Sequence, residues 1–199
     1  MSYRESARTA ARRTRSTILA ALVALSAALV GFVGYQSLAA SSSSATSLIG
    51  EADGVVPDGV TVFDDQFPAV ANLDPRLLRA LRQAATDAAG DGVEFLVTSG
   101  WRSRAYQEQL LDQAISEYGS EEEAARWVAT PKTSAHVSGD AVDIGPSDAT
   151  AWLSEHGAVY GLCQIYGNEP WHYELRPAAI DHGCPARYAD STQDPRMQQ

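Results

Sequence analysis

The sequence is short of side chains that bind metals and polyanions. Its 199 residues include only four histidines and two cysteines. Basic residues are scarce as well, 15 against 25 acidic, for a formal net charge of −10. Five arginines (Arg4, Arg8, Arg12, Arg13 and Arg15) fall in the first 40 residues beside a single acid, Glu5, so that stretch carries +4. The remainder has 10 basic and 24 acidic residues and carries −14. Nucleic acid is excluded as a partner for such a domain, because affinity there rests on neutralising phosphates. There is no internal repeat, and strand-like and helix-like segments do not alternate strictly. The pattern therefore points to an α+β fold with a small, mostly antiparallel sheet and flanking helices. A hydrophobic content of 45% suffices for one packed domain.

The chain divides by composition. Residues 1–17 are polar and basic and read as a cytoplasmic tail. Residues 18–38 form an uncharged, mostly apolar run. Arginines ahead of such a run predict a cytoplasmic N-terminus and an exported remainder. The length suits a membrane-spanning anchor. Ser37-Leu38-Ala39 also fits a signal-peptide cleavage site, and both readings place the domain outside the cytoplasm. Residues 39–57 are Ser-rich and read as a flexible linker. The folded domain is expected over 58–188 as a monomer, followed by a disordered tail over 189–199.

Within the domain, Asp74 is an N-cap with Pro75 at the first helical position. Leu77, Leu78, Leu81, Ala84, Ala85 and Ala88 then repeat at helical spacing until Gly90. Residues 93–98 read as a strand. A second helix starts after Ser103, with Tyr106, Leu110, Leu111, Ala114, Ile115 and Tyr118 as its buried stripe. Ser120-Glu-Glu-Glu123 is a capping box opening a third helix to about Val128. Strands are expected at 141–144, 162–166 and 171–175, and a fourth helix at about 148–156.

The histidines are 136, 156, 172 and 182. His156 suits the last turn of its helix, where a cation complements the dipole. His182 lies in a loop with no evident partner. His136 and Asp143 differ, because Gly139 between them permits a sharp turn from a loop histidine back to a strand carboxylate. Asp143 sits among Ala141, Val142 and Ile144, and a buried carboxylate needs a partner. That partner is a metal or backbone N–H groups. Glu169-Pro-Trp-His172 adds another histidine and a carboxylate. Pro170 keeps Glu169 out of helical geometry. If 171–175 is a strand, His172 and Glu174 share a face, which makes Glu174 a second candidate base beside Glu169. Two imidazoles and one carboxylate are a catalytic zinc set that leaves a fourth position for water.

Ser134-x-His136-x-x-Gly139-x-Ala141-x-Asp143, followed by Glu169-Pro-Trp-His172, resembles the VanY-type D-alanyl-D-alanine carboxypeptidases. Ser99-Gly-Trp-Arg-Ser103 with Gln107 is similar to an upstream element of the same family, with Trp101 in place of its usual Tyr. The resemblance covers roughly residues 70–177. It implies the hedgehog/D-Ala-D-Ala peptidase fold and one zinc ion on His136, Asp143 and His172. It also implies Glu169 as catalytic base and Arg102 as a stabiliser of the oxyanion or a holder of the substrate carboxylate. Ser134, Gln107 and Trp101 follow as substrate contacts. The implied activity is removal of the terminal D-Ala from a peptidoglycan stem peptide. Rival readings are an endopeptidase or D,D-dipeptidase on the same fold, or a non-catalytic wall-binding zinc module. Cys163 and Cys184 are expected to pair, since both fall in the part placed outside the cytoplasm.

Overall fold

A computed structural model of the chain describes residues 48–198. The basic tail 1–17, the apolar run 18–38 and the linker as far as 47 lie outside the described residues. Among the described residues no helix is long and apolar enough to cross a membrane. The end of the expected linker is folded. Asp53 there accepts hydrogen bonds from Ser103, through its backbone oxygen at 2.8 Å and through Oδ1 at 2.9 Å.

A short helix α1 (Pro68–Ala71) leads into α2 (Pro75–Gly90). The Asp74 carboxylate accepts from the N–H groups of Arg76 and Leu77, as an N-cap should. The buried stripe of α2 is Leu77, Ala80, Leu81, Ala84, Ala85 and Ala88. Strand β1 (Leu96–Ser99) begins later than its apolar sequence suggests. Helix α3 (Arg104–Tyr118) is capped by the Ser103 hydroxyl. Its expected apolar stripe is mostly half-exposed, and only Gln107 and Ala114 are buried. The reason is placement: Leu110 faces a cavity, while Leu111 and Ile115 line an open groove. The third helix, α4 (Glu121–Ala124), stops well short of Val128. Then come α5 (Ala135–Ser138), β2 (Ala141–Gly145), α6 (Ser147–His156), β3 (Leu162–Gln164), β4 (His172–Leu175) and α7 (Ala179–His182).

The four strands form one antiparallel sheet in the order β1-β2-β4-β3. Alternation sorts its two faces. Val97, Val142, Ile144, Leu162 and Tyr173 pack with Leu77, Leu81, Trp152 and Leu153 of α2 and α6 into the main core. Asp143, His172 and Glu174 alternate with Val142, Ile144 and Tyr173 and so lie on the opposite face. Asp143 is the direct cross-strand partner of His172. That face carries the polar cluster described below.

The expected disordered tail is a correction. Residues 188–198 pack as two short 3-10 turns, Ser191–Gln193 and Pro195–Gln198. Asp190, Ser191 and Asp194 are buried. Tyr188 pairs with Tyr166 in a parallel bridge, and Arg196 bonds to Glu174. The polar composition that suggested disorder is used up in ion pairs and caps. Cys163 and Cys184 are disulfide-bonded, with their Cα atoms 5.6 Å apart.

Candidate metal centre

His136 comes not from a loop but from the one-turn helix α5. That helix ends at Gly139, whose φ is +79°. A Cβ at Gly139 would lie 2.4 Å from the Asn72 carbonyl oxygen, so only glycine allows this close turn. Gly100 is equally constrained, because a Cβ there would fall 2.1 Å from Ala69 O. Its own carbonyl accepts from His136 Nδ1 at 2.8 Å. The proton thus sits on Nδ1, and Nε2 of His136 is bare. His172 differs. Both of its ring nitrogens face carboxylates, Nε2 at 3.3 Å from Glu174 Oε1 and Nδ1 at 3.2 Å from Asp143 Oδ1, so a metal on Nδ1 would leave the remaining proton on Nε2 for Glu174.

His136 Nε2 and His172 Nδ1 lie 3.2 Å apart. Asp143 Oδ1 is 3.4 Å from the first and 3.2 Å from the second. Three potential ligand atoms therefore converge on one point, a pattern that a single cation completes. Among the described residues this is the one His/Asp/Glu/Cys cluster with metal-binding spacing, and all three members are buried. Without a cation the cluster holds a proton instead. Burial pushes His172 down, but its hydrogen bonds to Asp143 and Glu174 outweigh that and raise it to about 9. His136 is lowered, by burial first and then by the Arg102 charge. Burial pushes Asp143 up, yet the two imidazoles hold it well below the usual carboxylate range. An open-sided set of two imidazoles and one carboxylate fits zinc, and the partners on the far ring atoms fix both tautomers.

Glu169 enters from the turn before β4, with Oε2 3.8 Å from His172 Nδ1. Burial raises its carboxyl to about 7, the range that suits a general base. Glu174 is fully buried on the other side of His172, and its two oxygens are bonded to His172, Arg176 and Arg196. It does not line the cavity that opens on the cluster.

Arg102 spends its fork inside the protein. Nε donates to Ser99 Oγ at 2.8 Å, Nη1 to Gln107 Oε1 at 3.1 Å and Nη2 to Asp143 Oδ2 at 3.1 Å. Gln107 in turn donates through Nε2 to Ala129 O at 2.8 Å, so its amide acts as a strut between Arg102 and the Ala129 loop. A cavity of about 230 Å³ opens on the cluster. Arg102, Gln107 and Ser134 line it, and Ser134 is itself buried. Trp101 does not line it, and its backbone N–H donates to Ala69 O at 2.8 Å. Trp127 and Trp171 supply the aromatic wall instead, with Tyr166, Ser191 and Met197 beside them. His156 is bonded to Trp152 O and stacked on the Trp152 ring, away from the cluster. His182 lies in α7.

Residues 70–178 match the VanY family, described as D-alanyl-D-alanine carboxypeptidase. A D-alanyl-D-alanine carboxypeptidase of Enterococcus faecalis is 30% identical over 143 residues, which are 59% of this chain and 53% of that protein. The chain thus spans about half the length of that relative. The structure of VanYB in complex with D-alanine-D-alanine is 29% identical, with a TM-score of 0.51 over 56% of this chain and 74% of that one. The structure of the LdcB LD-carboxypeptidase is 25% identical, with a TM-score of 0.52 over 66% of this chain and 72% of that one. The fold, the ligand set and the sequence match agree: this chain belongs to the VanY family of D-alanyl-D-alanine carboxypeptidases.

Proposed function

We propose that the domain is a zinc-dependent carboxypeptidase that removes the terminal D-Ala from peptidoglycan stem peptides outside the cytoplasm. The observation that carries this reading is the convergence of three potential ligand atoms beside Glu169, in a cavity open to a small peptide. A zinc ion on His136, Asp143 and His172 would acidify a water and polarise the scissile carbonyl. Glu169 takes the proton of the attacking water and delivers it to the departing D-Ala amine. The peptide bond breaks, and water supplies the new carboxylate. Arg102 holds Asp143 in register for this work, and it also lines the cavity, where a guanidinium suits a substrate carboxylate or oxyanion. The likeness to VanYB, solved with D-alanine-D-alanine, supports a D,D-peptide substrate.

The Cys163–Cys184 disulfide supports an oxidising compartment. In this reading residues 18–38 anchor a monomeric domain to the membrane or are removed on export. The test uses the purified full-length chain with zinc, a Lys-D-Ala-D-Ala tripeptide and a D-Ala-D-Ala dipeptide. Release of D-Ala from the tripeptide alone is expected. Cleavage of the dipeptide alone would make it a dipeptidase. Tight binding of wall fragments without cleavage of either would make it a binding module.

A further inference from the structure

The family match ends at residue 178, yet the metal-centre architecture does not. Residues 188–198 touch it at three levels. Their backbone runs beside the segment that leads to Glu169. Gly167 N–H donates to Tyr188 O at 2.8 Å, and Asn168 N–H to Ala189 O at 3.2 Å. Their side chains Ser191 and Met197 form one wall of the cavity. Their Arg196 grips Glu174, the carboxylate that orients His172.

The grip is two-pronged. Arg196 Nη1 donates to Glu174 Oε2 at 2.7 Å, and Nη2 to Glu174 Oε1 at 3.1 Å. Arg196 is itself held. Nε donates to both carboxylate oxygens of Asp194, at 3.0 and 2.9 Å, and Asp194 is buried. Asp194 Oδ2 also accepts from the Tyr166 hydroxyl at 3.0 Å. The Tyr166 ring packs on the His172 ring, with centroids 5.2 Å apart. The terminal segment therefore bonds to both the hydrogen-bond partner of His172 and the tyrosine whose ring packs against it.

We propose that residues 188–198 are a strap that positions the metal centre, with Arg196 as its positioning residue, acting through Glu174 on the ring orientation of His172. This rests on the zinc reading above. A carboxylate on the far nitrogen of a ligating histidine fixes its tautomer and aim, and loosening such partners typically weakens metal binding by about 10–100-fold. Glu174 shares its charge with Arg176 as well, at 2.7 Å. Removing Arg196 therefore leaves Glu174 paired but free to swing; it also leaves buried Asp194 without its cation, a stability cost that the melting midpoint reads separately from zinc affinity.

The test measures zinc affinity by chelator competition and the melting midpoint of the metal-free protein, on the full chain and three variants. Arg196→Ala should weaken zinc by about 10–100-fold. Arg196→Lys, which keeps the charge but not the fork, should recover part of that loss. Arg187→Ala, one residue before the strap, removes an exposed hydrogen bond to Gln164 and should leave zinc affinity unchanged. Zinc affinity of Arg196→Ala within about twofold of wild type would overturn the strap, as would an equal loss in Arg187→Ala. Should Arg196→Ala fail to fold, unchanged zinc affinity in Arg196→Lys overturns it. A wild-type chain that takes up no zinc would overturn the site reading itself, a failure distinguishable from that of the strap.

Discussion

Arg102 and Asp143 are bonded on the side of the carboxylate that faces away from the imidazoles. Nη2 of Arg102 reaches Oδ2 at 3.1 Å, while Oδ1 points at His136 and His172. The arginine thus fixes which oxygen is offered to a metal. Both side chains are almost buried, at 14% and 9% exposure, so the pair is little screened by solvent. Removing one partner of such a pair leaves the other charge buried and unbalanced.

Arg102→Lys tests this. A lysine keeps the charge but cannot also hold Ser99 and Gln107. Zinc affinity is expected to fall by about tenfold or more, with kcat/KM falling alongside. Wild-type zinc affinity with a raised KM would instead assign Arg102 to the substrate alone.

Glu169→Gln separates stability from turnover. With zinc bound, turnover should fall by roughly 10²–10⁴. The metal-free protein should behave oppositely. Burial raises Glu169 from 4.5 to about 7, so ionising it costs the fold stability as pH rises through that window. Below pH 4.5 both states are protonated and the variant gains nothing. Above pH 7 both are ionised and the gain is complete, on the order of 1–3 kcal/mol. Metal-free Glu169→Gln should therefore melt above wild type at pH 8 and level with it at pH 4. A bound cation beside Glu169 favours its ionised form, so the acidic limb of kcat/KM for the zinc form should lie below pH 7. An unchanged acidic limb in Glu169→Gln would remove the residue from the base role.

The disulfide should tie down the catalytic segment. It spans 21 residues, and Glu169 and His172 lie inside the loop. The chain-entropy model gives roughly 3 kcal/mol for a loop of this size. Replacing both cysteines by Ala should lower stability by about that amount in urea and weaken zinc as well. Titration of unreduced, denatured protein should find no free thiols, and two per chain would contradict the bond.

The sequence told most where chemistry and backbone rules coincide. Asp74 with Pro75 marked the start of α2, and alternation placed His172 and Glu174 on one face. The single-turn helix carrying His136 was not legible, because four residues show no periodicity. Helix α3 misled for a different reason: its apolar stripe faces a cavity and a groove, not the core. Gln107 and Trp101 read as substrate contacts by motif; Gln107 lines the cavity and also bridges Arg102 to Ala129, whereas Trp101 does not line it. The terminal strap was the largest omission. Asp190, Asp194 and Arg196 look like a solvated tail until Glu174, 22 residues before Arg196, is brought beside them. No local signal could have exposed that pairing.

Zinc titration with parallel turnover tests the central claim most directly. The metal-free full-length chain is titrated with zinc, and D-Ala release from Lys-D-Ala-D-Ala is followed at each step. One zinc per chain should bind tightly, and D-Ala release should rise with occupancy to a plateau at one equivalent. Alanine at His136, Asp143 or His172 should abolish both. D-Ala release that persists without zinc, or zinc uptake unchanged in His136→Ala or His172→Ala, would contradict the account.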